Sequence, residues 1–187
     1  MARSTPSRIA FLYCCIGEPR KSWVETENIL DECLRTIVHA PTLSITREGT
    51  WPVVLADKRR LADVFRHILE NAVQFMDKPD GRIVLRSEEQ DNHWQFSIAD
   101  NGPGMDSRYV WKIFYIFYTL APKDEHTGVG MGLALAQRIV EAHDGHIWAE
   151  THPGTGSTFF FTLPRIDPPT ESPPEQDSAH LNHERAL

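Results

Sequence analysis

The sequence predicts an α+β fold, an α/β sandwich in which a mixed, mostly antiparallel sheet carries its helices on one face. Two observations support this class. Segments with apolar residues at helical spacing alternate along the chain with runs in which apolar and polar residues alternate. The clearest alternating runs come as two close pairs, which is typical of antiparallel neighbours. Helices that are separate in sequence from such a sheet are expected to pack on it as a layer.

The first half of the chain contains two predicted helices and one short strand. From Trp23 to Val38 the apolar residues form one helical stripe with acidic residues in its early turns, which predicts a helix. The run Leu43 to Thr46 alternates and predicts a strand. Asp57 is a suitable N-cap for a longer helix from Arg59 to Phe75, whose inner side carries Leu61, Val64, Phe65, Ile68 and Ala72.

The second half contains two predicted pairs of strands and one further helix. Arg82 to Ser87 and His93 to Ala99 alternate on either side of a short polar segment, which predicts an antiparallel pair ending at Asp100. An aromatic run from Tyr109 to Phe117 precedes a polar segment without periodicity, Thr119 to Thr127, which we expect to be mobile. The remaining elements are a helix over Gly132 to Ala142 and strands over Ile147 to Thr151 and Ser157 to Leu163, joined by a turn at Pro153 to Gly156.

We expect one folded domain, residues 22–166, between two different ends. The 187 residues are 41% hydrophobic and 24% charged, which is enough for one buried core. Residues 167–187 are rich in proline and polar groups, so we predict a disordered tail. Residues 1–21 are predicted to be a linker.

The composition argues against several classes of function. A formal charge of -7 disfavours a nucleic-acid partner, because binding phosphates requires clustered Lys and Arg. No run reaches the roughly 18 to 20 apolar residues of a membrane span, so we expect no membrane contact. Three cysteines, with Cys14 and Cys15 adjacent, suit a reducing compartment. These features predict a cytoplasmic location.

A carboxylate and two glycines follow the first pair of strands. Asp100 stands at a strand end with Gly102 and Gly104 behind it, in the sequence DNGPG. A carboxylate in this position can accept a hydrogen bond from the amino group of adenine. A solvated Asp-Asn-Gly turn is the common alternative, and the motif by itself does not decide between them.

A glycine-rich turn, GVGMGL from Gly128 to Leu133, directly precedes the last predicted helix. Its glycines permit a close backbone approach, and the free N–H groups at a helix N-terminus form a cradle for phosphate. The motif is not a P-loop, since it lacks the Gly-Lys-Ser/Thr ending, and no strand precedes it as in a dinucleotide-binding fingerprint. A flexible hinge is the alternative.

Asn71 lies on the helix predicted from Arg59 to Phe75. Its amide oxygen can hold Mg²⁺ bound to nucleotide phosphates without adding a formal charge. His67 is four residues away and shares its helix face. A surface amide is the alternative for Asn71. Farther along the chain, Gly154 to Thr158 form a glycine turn that leads into a strand, for which a plain β-turn is the alternative.

Taken in order, these segments resemble the N, G1, F, G2 and G3 boxes of histidine kinases. The matching segments are LENAVQF, DNGPGM, KIFYIF, GVGMGLALAQRIVEAHDG and GTGSTFFFTLP. The resemblance spans Ser22 to Pro164 and places the chain among the Bergerat-fold ATPases, which also include gyrase. It implies a Bergerat-type sandwich that serves as a catalytic and ATP-binding domain, with ATP and Mg²⁺ as cofactors. Among histidine kinases, the sequence most resembles the phytochrome-like sensor kinases.

The resemblance assigns expected roles to individual residues. Asn71 would coordinate Mg²⁺, Asp100 would bind the adenine amino group, and Thr158 would place a hydroxyl near the base. Gly102 and Gly104 would shape the adenine side. The phosphates would meet the glycine turn, Gly128, Val129, Gly130, Met131, Gly132 and Leu133. Ile113, Phe114 and Phe117 match the F box, and the following lid, Tyr118 to Thr127, would close over ATP with Lys123 or His126 as a donor.

Two positions depart from the family pattern. Gln74 stands where many members carry a Lys, so the phosphate charge is less compensated. His67 stands where the hydrolytic ATPases of the superfamily place a Glu general base, which argues against a dedicated ATPase. His67 and Glu70 remain the candidate catalytic residues, and Glu70 would assist proton transfer or orient a water. An exposed helix carboxylate is the alternative for Glu70.

No histidine of this sequence has the context of a phosphoacceptor. The segment Ile9 to Trp23 resembles the end of a dimerisation helix and the linker beyond it. The resemblance therefore implies γ-phosphoryl transfer to a histidine on a dimerisation domain, supplied in trans or by a longer protein, with a response regulator downstream. The alternatives are a degenerate module that binds ATP or a partner without transfer, and an anti-sigma-type serine kinase.

Overall fold

A computed structural model describes residues 17–37, 42–115 and 130–168 of the protein. These ranges contain seven strands, three α-helices and one 3₁₀ helix, Ser107–Lys112. The strands are β1 Ser22–Glu25, β2 Ser44–Gly49, β3 Val53–Ala56, β4 Arg82–Glu89, β5 His93–Asp100, β6 Ile147–His152 and β7 Gly156–Pro164. The α-helices are α1 Thr26–Thr36, α2 Lys58–Gln74 and α3 Gly132–Ala142.

Within the described ranges, five strands form one mixed sheet in the order β2-β4-β5-β7-β6. β2 runs parallel to β4, whereas the other three neighbouring pairs are antiparallel. The short strands β1 and β3 pair antiparallel in a separate two-stranded sheet. The predicted pairing of β4 with β5 and of β6 with β7 is confirmed.

The helices cover one face of the large sheet. Alternate residues of β5 and β7 point toward α2 and are buried, and the aromatic core contains Phe65 from α2 with Phe96 and Phe161 from the sheet. The ring centroids of Phe65 and Phe161 are 5.2 Å apart, and those of Phe96 and Phe161 are 4.9 Å apart. The predicted α+β sandwich with helices on one face is therefore confirmed.

Helix α2 begins where the sequence predicted. Asp57 is its N-cap, and the carboxylate oxygen Oδ1 accepts the backbone N–H of Arg60 at 3.2 Å. The inner face of the helix carries the five predicted apolar residues, all of them buried. Helix α3 spans the predicted residues Gly132–Ala142.

The prediction was wrong for the start of the first helix. Trp23 to Glu25 belong to strand β1, which pairs with β3, and β3 was not predicted. Only one residue of β1, Val24, is buried, so a four-residue strand cannot be told from the first turn of an amphipathic helix by its apolar residues. Thr26 then begins α1, with its buried hydroxyl donating to the carbonyl of Pro52 at 2.7 Å.

Several predictions concern residues outside the described ranges. These residues are the segment Thr119 to Thr127 that was predicted to be mobile, with Lys123 and His126, the predicted F-box residue Phe117, the predicted turn residues Gly128 and Val129, and most of the predicted linker and tail. The domain limits 22–166 stay a prediction. Among the residues that the structure does describe, no helix combines the length and the apolar composition that crossing a bilayer requires.

Candidate functional site

Asp100 ends β5 on the face that carries the helices. Phe96 and Ile98, four and two residues earlier on the same face, are buried in the core. The Asp100 Oδ1 atom accepts the backbone N–H of Gly102 at 2.9 Å and that of Ser157 at 3.3 Å. No other hydrogen bond reaches this carboxylate from the described residues, so Oδ2 is able to accept one from a ligand.

The environment of Asp100 has opposing effects on its ionisation. Burial raises the pKa of the carboxyl above its ordinary value, whereas the N–H groups of Gly102 and Ser157 and the positive charge of Lys78 act in the opposite direction. The carboxylate is thus partly removed from water yet held in a defined orientation, which suits recognition of a polar group on a bound molecule.

The loop after Asp100 requires both of its glycines. A Cβ on Gly102 would lie 2.9 Å from Asp100 Oδ1. Gly104 has φ +63°, and a Cβ there would lie 2.1 Å from the carbonyl oxygen of His152. The backbone N–H of Gly154 also donates to the carbonyl of Pro103 at 2.6 Å. The loop is therefore packed tightly against the hairpin of β6 and β7.

Helix α2 contributes the three predicted polar residues. Asn71 is half-buried, and its side chain makes no hydrogen bond with any other described residue. Glu70 is exposed, with Oε2 3.5 Å from His67 Nδ1 and Oε1 3.9 Å from Arg66 Nε. The opposite ring nitrogen of His67, Nε2, is buried without a hydrogen-bond partner in the described part of the chain.

The N-terminus of α3 lies against His67. A Cβ on Gly132 would lie only 3.1 Å from His67 Nδ1, so a glycine permits this approach. Gly130 has φ +67°, Met131 is exposed, and Leu133 is half-buried. Because the first N–H groups of a helix have no partner within it, the start of α3 offers donors to an anion. Gly128 and Val129 precede the described part of this turn.

Residues His67, Asn71 and Phe75 connect these two regions. His67 lies under Gly132, and the carbonyl of Phe75, at the end of α2, is 3.5 Å from the Cβ position of Gly102. Asn71 is four residues from each and therefore lies between them on the same side of the helix. The distance from His67 to Phe75 along the axis is about 12 Å. We call the Asp100 side of this groove the base end and the Gly132 side the phosphate end.

The aromatic segment near the site supports the core rather than the groove directly. Ile113 is buried in the core, and Phe114 is half-buried against it. Tyr109, Trp111 and Tyr115 are exposed. The described residues of the predicted F box, Ile113 and Phe114, thus pack against the core. Phe117 lies outside the described ranges.

The structure places the side chain of Thr158 away from the Asp100 side of the sheet, and its predicted contact with the base stays a prediction. Thr158 pairs with Ala99, one residue before Asp100, so its side chain projects from the opposite face of the sheet. Ser157 is the residue directly opposite Asp100, and its hydroxyl lies on the helix-covered face. A register that pairs the strand end at Asp100 with the first residues after Gly156 would have identified Ser157, because a shift of one residue exchanges the faces.

Thr151, on β6, was not predicted as a site residue. Its buried hydroxyl oxygen is 3.0 Å from Ser157 Oγ, accepts the backbone N–H of Met105 at 2.9 Å and donates to the carbonyl of Gly156 at 3.1 Å. Thr151 alternates as an ordinary strand residue, so no local pattern distinguishes it. Its role depends on contacts that only the folded hairpin creates.

Similar proteins were found by sequence and by structure. The chain is 40% identical over 116 residues to the phytochrome-like protein Cph1 of Synechocystis, a match covering 62% of this chain and 16% of Cph1. It is 37% identical over 115 residues to the methanogenesis regulatory histidine kinase FilI of Methanothrix harundinacea, covering 61% of this chain and 13% of FilI. The chain therefore spans less than a fifth of the length of either relative.

A structure of full-length ShkA in complex with AMPPNP has the same fold, with a TM-score of 0.68 and 26% identity. The match covers 82% of this chain and 33% of ShkA. A model of the family described as histidine kinase-, DNA gyrase B-, and HSP90-like ATPase matches residues 56–167, a range that contains the whole groove. The chain belongs to this ATPase family, and its relatives are phytochrome-like proteins and sensor histidine kinases.

Proposed function

We propose that this chain is the Mg-ATP-binding catalytic domain of a sensor histidine kinase. It would transfer the γ-phosphoryl group of ATP to a histidine on a dimerisation domain outside this chain. The observation that carries the proposal is the groove in which Asp100, Asn71 and the N-terminus of α3 lie in sequence along one side of α2. ATP is a cytoplasmic phosphoryl donor, so the proposed location is the cytoplasm.

The base end suits adenine. Asp100 presents a carboxylate oxygen as an acceptor at the end of β5, the central strand of the large sheet, and its other oxygen is held by two backbone N–H groups. The amino group on C6 of adenine is a donor, whereas guanine carries a carbonyl at the same position. A buried acceptor that meets a carbonyl leaves both groups unpaired, which favours ATP over GTP.

The phosphate end suits the phosphates of a nucleoside triphosphate bound to Mg²⁺. The free N–H groups of α3 meet the negative charge, and the amide oxygen of Asn71 is available as a metal ligand. The described residues contain no cluster of three or more His, Cys, Asp or Glu side chains that could hold a metal ion. Mg²⁺ bound with a nucleotide usually takes most of its ligands from phosphate and water, and here it would neutralise charge on the transferring group.

His67 and Glu70 lie at the phosphate end, where His67 contacts Gly132 and Glu70 lies beside His67. The Nδ1 side of the His67 ring packs against Gly132, whereas Nε2 is buried and has no hydrogen-bond partner in the described part of the chain. Glu70 is exposed beside it and is the candidate that assists proton transfer at the incoming histidine. Catalysis then rests mainly on positioning and on fixed donors. In the full signalling system, a response regulator would receive the phosphoryl group.

One observation favours a second function, a binding module without transfer. Gln74, one turn beyond Asn71, is exposed and uncharged, so α2 supplies no cation at that position. The phosphate end then depends on the N–H groups of α3 and on the lid residues Lys123 and His126, which lie outside the described ranges.

Titration calorimetry with Mg-ATP tests the binding half of the proposal, with Asp100→Asn as the matched variant. We expect the wild-type chain to bind and the variant to bind much more weakly. A wild-type chain that gives no binding heat with ATP or AMPPNP would refute the proposal.

A transfer assay with radiolabelled ATP tests the catalytic half. A separately expressed two-helix domain bearing a histidine would be added as acceptor, and acid-labile label on it is the expected result. Saturated binding without labelling of any acceptor histidine would leave the binding module as the function.

A further inference from the structure

We propose that Thr151 is a positioning residue that sets the base preference of this site. The inference rests on the proposed ATP-binding function and adds a determinant of nucleotide selection. Thr151 lies on β6, outside the segments that carry the predicted site residues, and its buried side chain touches both the loop after Asp100 and the start of β7.

The hydroxyl of Thr151 joins two backbone segments around Asp100 to strand β6. It accepts the N–H of Met105 at 2.9 Å, and so holds the end of the glycine loop. It donates to the carbonyl of Gly156 at 3.1 Å, next to the Ser157 N–H that binds Asp100 Oδ1. Both backbone donors to Asp100, Gly102 and Ser157, therefore belong to segments that Thr151 ties together.

The hydroxyl hydrogens of Thr151 and Ser157 are both used within this cluster. Thr151 has one hydroxyl hydrogen, and the Gly156 carbonyl accepts it. The hydroxyl hydrogen of Ser157 then points to Thr151 Oγ1, 3.0 Å away, which leaves only lone pairs on Ser157 Oγ for other partners. Beside the Asp100 carboxylate, the edge of the base end thus presents acceptors alone.

An edge made of acceptors selects a base with an amino group at C6. Without the Thr151 hydroxyl, Ser157 is free to rotate and to donate toward a carbonyl, and Met105 loses the partner that holds the loop. The affinity for ATP should fall, and the affinity for GTP should rise relative to that for ATP. A merely structural contribution would instead weaken both nucleotides by the same factor.

Calorimetry with Mg-ATP and Mg-GTP on the full chain tests this inference with Thr151→Val, Thr151→Ser and Thr162→Val. Thr162 is a matched control, because its hydroxyl accepts the N–H of His146 at 3.0 Å at the opposite end of the same two strands. We expect Thr151→Val to reduce the ratio of ATP to GTP affinity about tenfold. Thr151→Ser should restore the ratio, and Thr162→Val should leave it unchanged.

Ser157→Ala provides a second reading, since it removes the hydroxyl contact from the other side and leaves two hydrogen bonds of Thr151 in place. It should lower the ratio in the same direction but by less. If the wild type prefers ATP and neither Thr151→Val nor Ser157→Ala alters the preference, the inference is wrong while the proposed function stands. If the wild type binds neither nucleotide, both are wrong.

Discussion

The two ends of the groove are built by different means. At the base end, Asp100 is surrounded by backbone hydrogen bonds and by the buried hydroxyls of Thr151 and Ser157, all anchored in the sheet. At the phosphate end, the described contact is a close packing of Gly132 on the ring of His67. The hydrogen bonds of the base end are therefore formed without a ligand. At the phosphate end, the first backbone N–H groups of α3 have no partner within the helix and can donate to an anion.

A change at the base end should therefore damage the fold, whereas a change at the phosphate end should damage binding. The base end shares its hydrogen bonds with the central strands, so an added atom there disturbs the sheet. The phosphate end consists of one helix terminus, the start of α3, packed against α2. A change there should therefore affect ligand binding more than the stability of the fold.

The largest effect is expected from Gly104→Ala, which tests the rigidity of the base end. The positive φ of Gly104 and the carbonyl of His152, 2.1 Å from the added Cβ, both oppose the change. We expect the free energy of unfolding to fall by about 2 to 4 kcal/mol, measured by urea denaturation. Gly154→Ala is the matched control, since Gly154 has φ +79° but nothing within 4 Å of the added atom. Equal losses for the two variants would contradict the tight packing described for the loop.

Asp100→Asn separates binding from stability at the same end. The amide replaces a charged acceptor that contacts two backbone N–H groups and faces the ligand. We expect ATP affinity to fall about 10- to 100-fold, because a hydrogen bond to a charged group contributes more than a neutral one. Calorimetry measures the affinity and thermal unfolding the stability. A variant that binds ATP as tightly as the wild type would remove Asp100 from the site.

Gly132→Ala tests the phosphate end. The new methyl would lie 3.1 Å from His67 Nδ1, so the ring or the helix must move by a few tenths of an ångström. We expect a loss of stability below about 1 kcal/mol and a three- to tenfold loss of ATP affinity. Combining it with His67→Ala should reduce the cost, because the obstructing ring is gone. Purely additive losses in this double-mutant cycle would show that the two residues do not contact each other.

The smallest effect is expected at the far end of α3, which fixes the helix that carries the phosphate end. His143 Nε2 accepts the backbone N–H of Asp57 at 3.0 Å, and Nδ1 lies 2.7 Å from the carbonyl of Ile139. Burial lowers the pKa of His143 below its ordinary 6.5, although the hydrogen bond to Ile139 opposes this. The unfolded chain therefore binds the proton more readily than the folded one.

The contribution of His143 to the free energy of unfolding should accordingly be fully present above pH 6.5. It should decline as the pH falls below 6.5, toward the lower pKa of the folded state. The decline should be about 1 kcal/mol or less, and His143→Gln should remove this part of the pH dependence. Urea denaturation at several pH values on both sides of the ordinary histidine pKa, between about pH 5 and about pH 8, measures it. An unchanged pH profile in His143→Gln would assign the dependence to other groups.

Sequence reasoning reached most of the fold where periodicity extends over several turns or strands. Helix α2 and helix α3 follow from long apolar stripes and a capping Asp, and β4 to β7 follow from alternation. It failed at β1 and β3, which are four residues each and are defined by pairing with one another. Short segments carry too few residues for a period to be recognised.

The chemistry of the site was readable from local motifs because each donor or acceptor belongs to a short, ordered segment. Asp100 at a strand end, Asn71 on a helix and the glycines before α3 are properties of consecutive residues, and these determine what groups are present. The folded structure was needed to show which side chains face the groove. The register of β5 against β7 brings Ser157 rather than Thr158 opposite Asp100, and the folded hairpin brings Thr151 to the loop. A shift of one residue reverses the face of a strand, and no local pattern in the sequence specifies that register.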